Sequence, residues 1–297
     1  MISLVVPTHN RAYALVQVLD TFYLQESLSE IVFVDDCSTD NTKEVIEQFK
    51  NKYPKIITTY LRNSEKSGAS FSRLKGVNAA SSEYILFCDD DEFMELNYTK
   101  VCLRKLQNRE GDIISGRHFY RNPNENISKA IERFGIGISN AAVFGKIRFK
   151  VYTDAKFTGD MKVPFTHGIF MTTKKLLNQF QIDPFYSKGN GFREESDFQL
   201  NAFLNDHIIL MTNETHCVHM NMSEVRTGGQ RVNRLKRFWY NIYYTHYFLR
   251  KYYPKLQKKI LISYSLKSAI TLYTIAEFYD FFIRPFGIVA KKILGKV

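Results

Sequence analysis

Three aspartates and a glutamate follow a short apolar segment in the first third of the chain. Residues 84–93 read YILFCDDDEF, so that Asp89, Asp90, Asp91 and Glu92 come directly after a strand-like run. Closely spaced carboxylates repel one another unless a cation joins them, and their oxygens suit Mg²⁺ or Mn²⁺, which often bind substrate phosphates as well. The run therefore indicates a divalent-metal site for a phosphorylated substrate, although such a cluster is also typical of a solvated turn.

The segments around this run alternate between strand and helix patterns. Apolar residues recur every three or four positions in the helical segments, and β-favouring apolar residues fill the others. We predict strands at 2–6, 30–34, 56–61 and 84–88, and helices at 12–23, 42–49 and 70–80. This alternation is typical of βαβ units and a parallel sheet.

Polar clusters follow three of the predicted strands, at residues 8–11, 35–40 and 89–92. Ligands of open parallel sheets bind beyond the carboxyl ends of the strands. The three clusters are therefore expected to meet at one edge of the sheet and to form one site.

The middle of the chain has a mixed, turn-rich pattern. Further elements are predicted as strands at 113–115, 168–172, 208–211 and 217–220, a glycine-containing loop at 185–191 and a helix at 194–204. That helix begins with acidic residues, which stabilise a helix N-terminus even where they have no catalytic role.

Five motifs occur in the order seen in family 2 glycosyltransferases, which the chain resembles over roughly residues 2–240. They are VPTHNR (6–11), FVDDCSTDNT (33–42), SGASFSRLKG (67–76), FCDDDE (87–92) and REESDF (193–198). The resemblance implies an α/β fold of the GT-A type, which is Rossmann-like with a mainly parallel central sheet flanked by helices. It also implies an enzyme that moves a sugar from a nucleotide-diphosphate donor, by family habit a UDP- or dTDP-sugar, onto a hydroxyl.

The resemblance assigns roles to residues on the donor side. Asp36 would accept from the base with support from Asp35, and Arg73 would face the nucleotide or its phosphates. Leu74 follows Arg73 where the family usually has Asn. The other residues expected in the donor pocket are Pro7, Thr8, Asn10, Arg11, Asp89 and Asp90, with Arg231 in a glycine-containing loop that would close over the pyrophosphate.

The same resemblance implies a divalent cofactor, Mn²⁺ or Mg²⁺. Asp91 matches the position of the direct metal ligand, and Asp89 lies nearer the ribose or serves as a second ligand. His219 is the candidate for completing the metal shell, and an imidazole ligand would favour Mn²⁺ somewhat.

On the acceptor side the motif GFREESDF supplies the candidate base. Inverting transfer needs a group that removes the hydroxyl proton as the transition state develops. Glu195 occupies the position where many relatives carry this base, and Asp197 and Glu194 are the alternatives. Gly191 and Arg193 precede them as acceptor-side residues.

Charge is distributed unevenly along the chain. Residues 226–297 hold 15 Lys/Arg and 2 Asp/Glu, a net of +13, whereas the whole chain carries +11. Basic and aromatic residues alternate in this region, which suits an anionic membrane surface, RNA, or a helix that packs its aromatic residues on the rest of the protein. We predict a catalytic domain at 1–232, with nucleotide-binding (1–112) and acceptor-binding (113–232) halves, and a helical extension at 233–297.

Cysteine spacing and hydropathy bear on where the protein is located. The four cysteines form no CxxC pair and no long apolar segment is evident, so we predict reduced thiols and a cytoplasmic protein, peripheral on the inner face of the membrane through its C-terminal region. The predicted acceptor is a glycan or a lipid-linked saccharide. A nucleic-acid-binding module and a catalytically inactive sugar-nucleotide scaffold are the alternatives, but nucleic-acid binding gives no role to Asp89, Asp91 and Glu195.

Overall fold

The computed structural model describes residues 1–134, 143–187, 189–225 and 233–285. The first half alternates strands and helices as predicted, each within three residues of the expected bounds. These elements are β1 (Ile2–Thr8), α1 (Ala12–Tyr23), β2 (Leu28–Asp35), α2 (Thr42–Lys52), β3 (Ile57–Arg62), α3 (Ala69–Ala79) and β4 (Tyr84–Phe87).

The second half contains shorter strands and the helices that complete the domain. In chain order these are β5 (Glu92–Met94), α4 (Tyr98–Gln107), β6 (Ile113–Tyr120), α5 (Ile127–Phe134), β7 (Phe144–Gly145), β8 (Lys150–Val151), β9 (Asp160–Lys162), β10 (Met171–Thr173), α6 (Lys174–Gln179), a 3₁₀ turn (Pro184–Ser187), α7 (Glu194–Leu204) and β11 (Ile209–His219). Two helices follow, α8 (Arg234–Lys259) and α9 (Leu266–Phe278), and then a π-helical turn (Tyr279–Ile283).

In the described part of the chain the central sheet has the strand order β3-β2-β1-β4-β10-β6-β11-β5, and β9 also pairs with β11. Strands β3, β2, β1 and β4 run parallel, as do β6 and β11. Antiparallel β10 lies between β4 and β6. The predicted α/β fold with a mainly parallel, helix-flanked sheet is confirmed.

One prediction is wrong. The segments 208–211 and 217–220 were expected to be two strands, but a single strand, β11, spans Ile209–His219. The register against β6 shifts between Thr212 and His216, so the polar residues between them form a bulge. Asn213 accepts a hydrogen bond from buried Arg117 (3.0 Å), and Thr215 bonds Asn97 (2.8 Å). These partners hold a sequence of turn-like composition in the strand.

At the centre of the sheet both faces are buried, as parallel strands between helices require. On β1, Leu4 and Val6 belong to one hydrophobic core, and Val5 belongs to the other. The second core also includes Phe248 and Leu256 of α8, so this helix packs directly on the domain. None of the described helices is long and apolar enough to cross a membrane.

Candidate active site

The predicted clusters after β1, β2 and β4 lie together, because these strands are parallel neighbours. The Asp36 backbone amide donates to the Thr8 carbonyl (2.8 Å), which ties the ends of β2 and β1. Asn10 Oδ1 accepts from the Thr39 amide (2.7 Å), so the first loop is fixed to the second. Pro7 and Thr8 end β1 at this edge.

The two aspartates after β2 accept hydrogen bonds from other residues of the domain. Buried Asp35 accepts from Tyr60, Arg62 and the Ser38 amide. Asp36 accepts from the Asn63 amide group (2.8 Å) and from the backbone amides of Ser67 (2.7 Å) and Gly68 (2.9 Å). A carboxylate offers about four lone-pair positions. Asp36 therefore organises the loop before α3 and keeps about one position for a ligand.

Arg11 points into the acidic run. Its guanidinium donates to Asp91 Oδ2 (2.9 Å) and lies 3.6 Å from Asp90 Oδ1. All three side chains are buried, and burial raises the pKa of Asp90 to about 7. Arg11 thus offsets the charge of this run, and its expected place in the donor pocket stays a prediction.

Three residues in the described part of the chain offer ligand atoms within 4.8 Å of one another: Asp91, Glu92 and His219. His219 Nε2 lies 3.5 Å from Asp91 Oδ1 and 3.8 Å from Glu92 Oε1. Asp91 uses its other oxygen for Arg11, which leaves Oδ1 facing the imidazole. One imidazole and two carboxylates form a suitable donor set for Mn²⁺.

Glu92 gives the clearest sign that a cation fits. Its Oε1 lies 2.9 Å from His118 Nε2, whereas its buried Oε2 has no hydrogen-bond partner. Burial raises the pKa of Glu92 well above its ordinary range and lowers the pKa of His118 to about 4. A cation at this point would favour the ionised carboxylate and give the orphaned oxygen a partner.

Arg73 joins the donor side to the acceptor side. Its Nη2 donates to Asp89 Oδ1 (2.6 Å), and its Nη1 donates to Glu194 Oε1 (2.8 Å) and lies 3.4 Å from Glu195 Oε1. Asp89 is therefore paired with Arg73 and is not in the three-residue cluster. The guanidinium is buried, and its expected contact with the nucleotide or its phosphates stays a prediction.

The three acids of the acceptor motif differ in exposure. The side chains of Glu194 and Asp197 are each 2% exposed, whereas that of Glu195 is 27% exposed. Asp197 accepts from Tyr186, Lys251 and Tyr252 and so fastens α7 to α8. Glu194 is held by Arg73. Of the three, Glu195 is the one that a substrate can reach.

Glu195 lies against the backbone of Gly168. A Cβ atom added at Gly168 would lie 3.0 Å from Glu195 Oε1, so the glycine leaves the space that this carboxyl occupies. Burial raises the pKa of Glu195 to about 7; Glu194 and Asp89 add to the rise and Arg73 opposes it. A base with a pKa near 7 is suited to proton removal at neutral pH.

The remaining predicted residues support the loop before α7. Arg193 adopts a positive φ of 78° and donates to the carbonyls of Arg148 and Phe149 and to Thr245. It is buried, so it positions the α7 N-terminus. Gly191 also has a positive φ, 66°, and packs near Glu194. The prediction for Arg231 lies outside the described residues.

Sequence reasoning missed the contributions of Glu92, His118 and Gly168. Glu92 directly follows the three aspartates, and that adjacency was a usable signal. His118 lies on β6, which is beside β11 and its His219. Nothing local in the sequence shows that pairing.

A model of the family described as glycosyl transferase family 2 matches residues 3–180. Glycosyltransferase GlyG of Streptococcus pneumoniae is 25% identical over 219 residues, 71% of this chain and 70% of GlyG. The poly(ribitol-phosphate) β-N-acetylglucosaminyltransferase TarS of Staphylococcus aureus is 28% identical over 115 residues, 38% of this chain and 20% of TarS.

Solved structures share the fold. TarS residues 1–349 in complex with UDP-GlcNAc match with a TM-score of 0.58 at 16% identity, over 94% of this chain and 73% of that one. The mannosyltransferase PcManGT from Pyrobaculum calidifontis, in complex with GDP-Man and Mn²⁺, matches with a TM-score of 0.55 at 15% identity, over 92% of this chain and 68% of that one.

Proposed function

This chain belongs to glycosyl transferase family 2 and is a glycosyltransferase, and we propose that it is a metal-dependent, inverting one. The proposed donor is a UDP- or dTDP-sugar, and the proposed acceptor is a hydroxyl of a glycan or a lipid-linked saccharide. The observation that carries this proposal is the contact of Arg73 with both Asp89 and Glu194, because it brings the acidic run after β4 and the acids of α7 into one site.

Sugar-nucleotide use is supported by the family and by the proteins of the same fold. UDP-GlcNAc is bound in the TarS structure, and GDP-Man with Mn²⁺ in that of PcManGT. In this chain the ends of β1 and β2 and the loop organised by Asp36 would bind the nucleoside. Asp36 keeps the lone-pair position that a base N–H requires.

The cation would be held by Asp91, Glu92 and His219, with Asp89 as a further ligand if it leaves Arg73. A bound divalent ion would neutralise charge on the departing diphosphate. The imidazole of His219 favours Mn²⁺ over Mg²⁺. The partnerless Oε2 of Glu92 supports this assignment.

Glu195 is the proposed base. The acceptor oxygen would bond to the anomeric carbon while the bond from that carbon to the diphosphate breaks and its electron pair leaves with the diphosphate. The acceptor proton would pass to the Glu195 carboxylate. A single displacement of this kind inverts the anomeric centre. Exposure, a raised pKa and the shape of the Gly168 backbone support Glu195 over Glu194 and Asp197.

The C-terminal extension includes a surface suited to a membrane. Ile275, Phe278, Tyr279, Phe282 and Ile283 follow a helical spacing and are all exposed, and Arg284 adjoins them. An exposed apolar face beside basic residues is typical of a segment that lies in a lipid interface. We propose that this face attaches the enzyme to an anionic membrane, where a lipid-linked acceptor would be presented. Unchanged sedimentation with phosphatidylglycerol liposomes would contradict this attachment.

Release of nucleoside diphosphate tests the transferase proposal without knowledge of the acceptor, because donor sugars are slowly transferred to water. The assay compares UDP-glucose, UDP-GlcNAc and dTDP-glucose, with Mn²⁺ and with EDTA. We expect Mn²⁺-dependent release from at least one donor that falls in Glu195→Gln. Equal release with Mn²⁺ and with EDTA would contradict metal dependence. Equal release from wild type and Glu195→Gln would contradict Glu195 as the base.

A further inference from the structure

An aromatic groove of about 380 Å³ lies between α8 and the 3₁₀ turn, outside the site described above. The residues that carry the argument are Phe185, Trp239, Tyr243, His246, Tyr247 and Arg250. Pockets that bind small ligands range from about 300 to 1,000 Å³ and combine apolar walls with a few polar groups. The groove has the size and the wall composition of such a pocket.

Its aromatic rings are stacked and turned toward solvent. Phe185 stacks on Tyr247 with centroids 3.8 Å apart and planes 18° apart, and on Tyr243 at 5.6 Å and 23°. Trp239 and Tyr243 are four residues apart on α8, and so lie on one face of the helix. They are 59% and 57% exposed. The pair offers exposed ring surface to a ligand, although Phe185 covers one face of Tyr243.

The charge of the groove selects the kind of ligand. Arg250 makes no ion pair or hydrogen bond within the described part of the chain, and no Asp or Glu lines the groove. The nearby acid Asp183 is already used, because it accepts from Tyr247 (2.9 Å) and pairs with Lys251. An unpaired guanidinium without a competing carboxylate favours an anionic group and disfavours a cation.

The groove is connected to the reaction site through the turn that carries Phe185. The Ser187 carbonyl of the same turn would lie 2.7 Å from a Cβ added at Gly68, so the turn packs closely on the donor-side loop. Tyr186 donates to Asp197 on α7 (2.9 Å), two residues beyond Glu195. A molecule in the groove therefore lies against the turn that also touches the donor loop and the acidic helix.

We propose that this groove binds an acidic saccharide unit of the acceptor. The apolar C–H face of the sugar ring would pack on Trp239 and Tyr243, and its carboxylate or phosphate would pair with Arg250. This inference rests on the proposed transferase function and adds to it the chemical class of the acceptor. A membrane surface is the alternative occupant, but the groove is concave, and the exposed apolar face suited to lipid is formed by α9 and the π-helical turn.

The single tryptophan makes the test direct. Trp239 is the only tryptophan of the chain, so intrinsic tryptophan fluorescence of this chain reports on the groove. The probes are trigalacturonic acid and its neutral methyl ester. We expect a saturable change in emission with the acid. The dissociation constant of the methyl ester should be about tenfold or more above that of the acid. The dissociation constant of the acid should rise by a similar factor in Arg250→Gln, because a charge-assisted bond is lost in both cases.

Matched variants distinguish a loss of binding in the groove from a loss of folding. Tyr243→Ala should weaken binding of the acid, whereas Tyr279→Ala, an exposed tyrosine outside the groove, should not change it. Melting temperature confirms that each variant is folded. No response to the acid, or an equal response to acid and ester, would overturn the proposal. A response to phosphatidylglycerol vesicles but not to the saccharides would also overturn it, and would assign the groove to a membrane.

Failure of this inference is distinguishable from failure of the proposed function. If UDP and dTDP do not bind the wild-type chain while trigalacturonic acid does, the proposed UDP- or dTDP-sugar donor fails and the saccharide site stands. If a nucleotide stabilises wild type and Arg250→Gln equally but the acid does not bind, the groove proposal fails and the donor site stands.

Discussion

Arg73 Nη1 donates to Glu194 Oε1 over 2.8 Å, joining α3 to α7 across 121 positions of sequence. The same guanidinium donates to Asp89 over 2.6 Å and approaches Glu195. One buried cation thus offsets the charge of acids from both halves of the site. Its position explains why carboxylates from the β4 end and the α7 N-terminus can lie so close together.

Replacement of Arg73 by Met should destabilise the protein strongly. Glu194 would be left buried and without its partner, and breaking a buried pair in this way costs about 3 kcal/mol or more. The check is the free energy of unfolding from urea titration. Lys52→Met, which breaks the exposed pair with Asp20, is the control and should have little effect. Equal effects of the two substitutions would contradict the role of Arg73.

The rate should depend on the ionisation of Glu195. Burial raises its pKa to about 7. Because a base must be deprotonated, kcat/KM should fall about tenfold per pH unit below 7 and level off above it. The check is a pH profile of donor turnover at saturating Mn²⁺. An acidic limb at the ordinary pKa of glutamate, or one that persists unchanged in Glu195→Gln, would argue against this base.

Gly168→Ala should slow the reaction while leaving the donor site intact. The added methyl would lie 3.0 Å from Glu195 Oε1, so the carboxyl would be displaced. Small misplacements of a reacting group cost up to about a hundredfold in rate. We expect kcat to fall roughly ten- to a hundredfold with an unchanged nucleotide-induced rise in melting temperature. An unchanged kcat would show that the Glu195 position does not matter.

Glu92→Gln and His219→Gln should each weaken Mn²⁺ binding. Both residues belong to the three-residue cluster, whereas His216 pairs with Glu95 and serves as the matched control. The Mn²⁺ concentration for half-maximal donor turnover should rise by at least about ten- to a hundredfold in the first two variants, because loss of a ligand costs no less than loss of a residue that orients one. It should stay at the wild-type value in His216→Gln. A rise in all three, or in none, would contradict this metal site.

The strands and helices of the donor half could be predicted because each is indicated by the residues within it. Strands β1, β2 and β4 are rich in apolar residues, and each is followed within a few residues by its polar cluster. Helix α1 was predicted with its observed bounds because Leu15, Val18 and Phe22 follow helical spacing without interruption. Parallel pairing of neighbouring strands then brings the clusters together.

The rest of the site depends on contacts between distant residues. The turn-like composition around Asn213 hid the continuity of β11, which is fixed by Arg117 on another strand. The approach of His118 to Glu92 follows from the pairing of β6 with β11 and β5 with β11. Asp197 looked like a catalytic acid in the motif, but its partners come from the 3₁₀ turn and α8. No period or motif encodes these pairings.

Thermal stability with nucleotides tests the central claim most directly. Wild type and Asp91→Asn would be heated with UDP, dTDP, GDP or CDP, each with and without Mn²⁺. A ligand at a hundred times its dissociation constant stabilises by about 2.7 kcal/mol, enough to raise the melting temperature by several degrees. We predict a rise with UDP or dTDP that requires Mn²⁺ and is lost in Asp91→Asn. No rise with any nucleotide, or a rise of equal size without Mn²⁺ and in the variant, would contradict a metal-dependent donor site.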